Sequence, residues 1–146
     1  METETKIRVK LIDSSLPLPQ YHTTGAAAFD LYARVETTLE PGAMARIPLN
    51  VVIEPPAGYW GLLTPRSSLH KKGIMPAGGI GVMDPDFCGD EDEYKAALYN
   101  ATDHPVTIER GERIMQVVFM PLVHPIIEEV TSMKSPTRGG FGTTGG

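Results

Sequence analysis

A chain of 146 residues fits one domain able to bury a core, and its net charge of −5 argues against a general nucleic-acid partner. Its 15 Gly and 13 Pro exceed the usual combined share of about 12%, which disfavours long helices and points to an all-β sandwich, barrel or jelly roll. METETKIRVK lacks the apolar run of a signal peptide, and no stretch of about 18 apolar residues offers a membrane span. The lone Cys88 can form no internal disulfide, so a reducing cytoplasm is the expected location.

In chain order, KIRVKLI (6–12) alternates apolar and polar residues as a half-buried strand does. Residues 14–25 read as a Pro-punctuated loop. AAFDLYARV (27–35), AMARIPLNVVI (43–53) and YWGLL (59–63) read as strands separated by EPGA and EPPAG turns. Ser67 to Lys72 is the place for one short helix, capped by Ser67 and ended by Gly73. GGIGVMDPDFCG (78–89) predicts a hairpin with Asp84, Pro85 and Asp86 at its tip. YKAALYN (94–100), PVTIE (105–109) and RIMQVVFMPLV (113–123) complete the strands. SPTRGGFGTTGG (135–146) has too little apolar content to fold alone.

Taken singly, the chemical motifs are ambiguous. Asp84 in VMDPDF suits a turn before Pro, and equally a general base able to reach a water. TPRSSLHKKG (64–73) suits a capped helix. Its two hydroxyls, fresh N–H groups and Arg66 also suit a phosphate. GGFGTTGG (139–146) resembles an anion-binding loop without the GK[ST] ending of a Walker A motif, and Phe141 within it could stack on a base. The four His residues share no metal-ligand spacing and there is no CxxC, so a zinc site is rejected. Asp90 to Glu93 could hold a divalent metal, but a solvated hairpin face is the simpler reading.

The ordered set is more specific than its members. TTGAAAFDLYA (23–33), PRSSLHKKGI (65–74), GIGVMDPDFCG (79–89), RGERIMQVVF (110–119) and RGGFGTTG (138–145) resemble, in order and spacing, the five motifs of the trimeric dUTPase family. The resemblance implies a β jelly roll with one short helix over residues 1–137 and a C-terminal arm over 138–146, assembled as a homotrimer with three composite active sites. It implies hydrolysis of dUTP to dUMP and pyrophosphate. Asp84 would activate the water that attacks the α-phosphorus. Asp30 would support the phosphate-side network near Arg66. Ser67, the backbone at Ser68, and Gln116 would hold phosphate oxygens. The backbone from Gly78 through Gly79, Ile80 and Val82 would read the uracil edge, with Asp86 beside it. Phe87 would pack on the deoxyribose. Arg138 would meet the γ-phosphate, while Phe141 and Gly142 would cover the base. Mg²⁺ would bind mainly through triphosphate oxygens and water, with no protein metal ligand. No membrane or nucleic-acid partner is implied.

The chain departs from the family pattern at several points. Phe87 replaces the usual Tyr, Cys88 a frequent Arg, Gly78 a frequent Asn and Ser68 the usual Gly. About three extra residues fall within Asp90 to Glu93, and Arg138 lies three rather than five residues before Phe141. A dCTP deaminase of the same superfamily is the alternative enzyme. It would need a Glu three residues before Asn100, where this chain has Ala97. A non-catalytic nucleotide-binding regulator is the alternative of another class; the retained Asp84 argues against it.

Overall fold

Period-two burial shapes the molecule, whose computed structural model describes residues 5–142. The strands are β1 (Arg8–Leu11), β2 (Phe29–Tyr32), β3 (Thr37–Leu39), β4 (Met44–Pro48), β5 (Val51–Glu54), β6 (Tyr59–Pro65), β7 (Ile74–Pro76), β8 (Gly81–Met83), β9 (Lys95–Asn100), β10 (Val106–Ile108) and β11 (Arg113–Pro121). All pairings are antiparallel. One sheet runs β2-β11-β6-β8, a second β4-β9-β7, and β1-β5 and β3-β10 form two-stranded pairs. In β9, Ala96, Leu98 and Asn100 point inward while Lys95, Ala97 and Tyr99 point out. Phe29 and Leu31 of β2, Ile47 of β4, Ile114 and Val117 of β11, and Leu98 meet in one core. Each such side chain contributes about 1.5–3 kcal/mol by leaving water.

Asn100 is buried yet fully paired. Its Nδ2 donates to the Leu39 and His104 carbonyls (2.9 and 2.8 Å), and its Oδ1 accepts from Thr102 N and Oγ1 (2.9 and 2.7 Å). A satisfied amide of this kind ties β9 to the β3-β10 pair.

The structure corrects four expectations. The single strand over 43–53 is broken into β4 and β5 at Asn50, whose φ is +71°. Asn tolerates that left-handed conformation, and its side chain is held by Asp13 N at 2.6 Å and Asp13 O at 3.1 Å. The short helix is a 3₁₀ turn over Leu69–Lys72 with Ser68, not Ser67, at its N-cap and no side-chain cap bond. Leu69 N donates to Arg66 O instead, at 3.1 Å. The expected hairpin at 78–89 has no return strand. β8 pairs with β6, and the chain then turns at Asp84–Phe87, closed by Phe87 N to Asp84 O at 3.1 Å. Pro85 has no N–H to offer a ladder. Finally, Glu93 is not on a solvated face. It is buried, with Arg34 Nε and Nη2 donating to it at 2.7 and 3.0 Å and Asn50 N at 2.9 Å. The sequence reading also missed β3 and β7, each only three residues long.

Gly73 ends the 3₁₀ turn with φ +73°, and a Cβ there would lie 2.1 Å from Thr102 Cγ2. Gly73→Ala therefore meets both backbone strain and a clash. Its stability is expected to fall by more than about 1 kcal/mol, measured by urea unfolding. An unchanged unfolding midpoint would contradict this placement.

Candidate active site

Strand alternation puts Asp30 on the face opposite Phe29 and Leu31. Because β11 lies between β2 and β6, Gln116 sits opposite both Asp30 and Thr64. Its Nε2 donates to Pro65 O at 3.1 Å. Arg66 leaves the end of β6, where its backbone N donates to Ile114 O at 3.1 Å. Its Nε lies 3.1 Å from Asp30 Oδ2. Arg113 reaches the same oxygen with Nη1 at 3.3 Å, and that Nη1 also lies 2.8 Å from His22 Nε2. With the arginine as donor, the His22 ring nitrogen is the acceptor there. An irregularity between Arg113 and Met115 re-aims Arg113 toward this point, as bulges do.

Asp30, with a side chain only 12% exposed, thus answers two guanidiniums. They border a cleft of about 870 Å³ lined also by His22, Ser68, Lys71 and Lys72. Lys72 Nζ is paired with Glu112 at 2.5 Å; among the described residues Lys71 has no carboxylate partner. The cleft carries more cation than anion and faces solvent, the arrangement that attracts a polyphosphate. Ser68 lines it, and Ser67 is exposed between Arg66 and Ser68. His22, Lys71, Lys72 and Arg113 were missed by the sequence reading. Arg113 lay within a quoted motif, but only the irregular register reveals its target.

A second group lies around β8. Gly78, Gly79, Ile80 and Gly81 border a small cavity of about 110 Å³ with Leu63, Pro76 and Met115. Gly79 has φ +80°, and a Cβ on Gly81 would lie 3.0 Å from Leu63 Cβ. Glycines here let backbone, rather than side chains, form the wall. Ile80 and Val82 are exposed. Beyond β8, Asp84 and Asp86 are exposed on the turn, and Phe87 stacks on the buried Tyr94 with centroids 6.2 Å apart. Burial pushes the Tyr94 phenol above its ordinary pKa. Ala97 is exposed on β9, where the deaminase alternative requires a proton-transferring Glu.

Within one protomer Asp84 lies far along the sheet from the Arg66 cluster. Met83 faces Gly61, so Asp84 falls beside Trp60, six positions from Arg66 along the antiparallel β6. At about 3.3 Å per residue that is roughly 20 Å. After Pro121 the chain leaves the sheets without regular secondary structure and is exposed from Val123 on to Gly139. Ile126 and Ile127 are 96% and 94% exposed, and Arg138, Phe141 and Gly142 lie exposed beyond them. Residues 143–146 of the Gly-rich motif lie outside the described residues. Among the described residues no three His, Cys, Asp or Glu side chains gather to hold an ion. Asp90 is engaged by Lys10, and Asp92 by the Gly89 amide. Among the described residues no helix is long and apolar enough to cross a membrane.

A family model described as dUTPase matches residues 14–145. The chain belongs to the dUTPase family. The deoxyuridine 5'-triphosphate nucleotidohydrolase of Rhizobium rhizogenes is 38% identical, with 99% of this chain and 98% of that protein covered. That of Caldanaerobacter subterraneus is 42% identical, covering 89% of each chain. Among solved structures, the dUTPase of Streptococcus mutans is 32% identical with a TM-score of 0.72, covering 83% of this chain and 98% of that one. The Staphylococcus bacteriophage 80alpha dUTPase with dUPNHPP is 25% identical with a TM-score of 0.83, covering 96% and 98%. The all-β jelly roll is therefore the family's fold, built among the described residues from strands with a single short 3₁₀ turn.

Proposed function

We propose that this member of the dUTPase family hydrolyses dUTP to dUMP and pyrophosphate at sites built between copies of the chain. The observation that carries the reading is the cationic cleft in which Arg66 and Arg113 share Asp30, in a chain whose relatives carry the nucleotidohydrolase name. Phosphoanhydride cleavage needs positioning and charge neutralisation more than covalent chemistry. Arg66, Ser67, the Ser68 backbone and Gln116 hold the phosphates, and Asp30 fixes the guanidiniums that face them. Asp84 orients a water and takes its proton as the water's oxygen bonds the α-phosphorus; pyrophosphate leaves with the former bridging oxygen. Mg²⁺, when bound, would be carried on triphosphate oxygens and water and would neutralise the triphosphate. The backbone from Gly78 to Val82 reads uracil, with Asp86 beside it, and Phe87 lies against the deoxyribose. Phe141 and Gly142 close over the base, with Arg138 toward the γ-phosphate.

The number three comes from the family resemblance, and three features support assembly of several copies. The roughly 20 Å between Asp84 and the Arg66 cluster prevents one chain from completing a site. The segment after Pro121 leaves Val123, Ile126 and Ile127 without cover from its own chain. Met44, Tyr99 and Met75 also sit in register as an exposed apolar patch across β4-β9-β7.

Pyrophosphate release measured with dUTP, dTTP, dCTP and UTP tests the reading. dUTP is expected to show the highest kcat/KM. dTTP fails because its 5-methyl meets close backbone, dCTP because its amino group mismatches the backbone edge from Gly78 to Val82, and UTP because Phe87 leaves no room for a 2′-hydroxyl. Equal values across the four would sink selection by shape. Ammonia release from dCTP would favour the deaminase, and binding without turnover the regulator.

A further inference from the structure

Phe87 and Tyr94 form a pair of unequal members. Their rings are inclined by only 22°, with centroids 6.2 Å apart. Phe87 is 37% exposed on a turn whose strand has no return partner, whereas Tyr94 is 0% exposed within the core. Tyr94 is pinned along its backbone: its N donates to Val51 O and its O accepts from Leu49 N, both at 2.8 Å. The preceding residue is Glu93, clamped by Arg34 and Asn50. The ring is also hemmed in by the β6-β8 edge. A Cβ built on Gly61 would lie 3.2 Å from Met83 Cβ and 3.5 Å from the Tyr94 hydroxyl. Phe87 has only the turn bond from its own N to Asp84 O.

An aromatic wall rejects a 2′-hydroxyl only if it cannot yield. A ring on an exposed turn can change rotamer and give way; one stacked on an immobile ring cannot. The geometry points to Tyr94 as the positioning residue that fixes Phe87 and thereby sets discrimination between deoxyribo- and ribonucleotides. The inference rests on the sugar-facing role of Phe87 given above. The ring does this work, not the hydroxyl. Tyr94 Oη is buried and has no hydrogen-bond partner among the described residues.

The test compares kcat/KM for dUTP and UTP, on the full-length assembled protein, for wild type, Tyr94→Phe, Tyr94→Leu and Tyr94→Met. Because each ratio comes from one sample, a loss of folded fraction cancels. Tyr94→Phe is expected to keep the wild-type dUTP-to-UTP ratio. Tyr94→Leu and Tyr94→Met are expected to lower it by about five- to tenfold, the scale of one lost ring pair, with kcat for dUTP changed less. A merely structural Tyr94 would depress both substrates together and leave the ratio alone, which overturns the inference. Should neither ringless variant fold, aromatic NMR of the wild-type Phe87 ring decides. One fixed rotamer supports the inference, and rapid rotamer averaging overturns it. A wild type indifferent to UTP and dUTP would refute Phe87 as the sugar wall and this inference with it. A discriminating wild type whose ratio survives Tyr94→Leu would refute the role of Tyr94 alone.

Discussion

Asp84→Asn is expected to lower kcat for dUTP by at least about 100-fold, the lower end for losing a general base, with nucleotide still bound. The substitution keeps the shape of the side chain and removes only its basicity. The turn bond that Asp84 accepts uses its backbone oxygen, which the substitution leaves in place. No side chain of the described residues pairs with the Asp84 carboxylate, and exposed positions free of such pairs rarely change stability by more than about 0.5 kcal/mol. A large fall in kcat would therefore reflect chemistry rather than unfolding. Thermal unfolding checks the fold, equilibrium binding of dUTP to the variant checks the site, and single-turnover assay reads the chemical step. Near-normal kcat in a variant that folds and binds would remove Asp84 from the mechanism.

Much of the fold was legible because burial follows period two. KAALYN and FDLY alternate cleanly, and that alternation alone places Asp30 away from the core. What was lost are features set by partners rather than by local pattern. Thr37–Leu39 is a strand only because β10 pairs with it. The apolar run at 43–53 hides a break, because Asn50 is fixed in a left-handed conformation by Asp13 and Glu93, distant in sequence. Glu93 reads as the last of four acidic residues, and only Arg34 at 2.7 Å explains its burial. The candidate site divides the same way. Asp30, Arg66, Gln116 and Asp84 stand in quoted motifs, and the first three lie together at one sheet. Arg113 depends on a register irregularity and His22 on a loop, neither visible in composition. The gulf between Asp84 and Arg66 follows from β8 running antiparallel to β6, a pairing that no local spacing encodes.

That gulf leads to the sharpest test of assembly. Two inactive proteins, Asp84→Asn and a truncation lacking residues 138–146, are expected to restore one another when co-refolded. In the proposed cyclic trimer, the cleft of Arg66, the turn of Asp84 and the arm of Arg138 and Phe141 come from three different chains at each site. Any trimer holding both variants then contains one site with an intact Asp84 from one chain and an intact arm from another. Random 1:1 mixing makes roughly three quarters of the trimers mixed, and one site in three of those is complete, so activity recovers to roughly a quarter of wild type. If Asp84 and the arm of a site belonged to the same chain, every site in every mixture would lack one of them. Differently tagged variants purified through both tags isolate the mixed trimers, and light scattering verifies their mass. The exposed run from Val123 to Ile127 remains in the truncated chain, so whatever that segment contributes to assembly is retained. Verified mixed trimers that release no pyrophosphate from dUTP would discard the shared site.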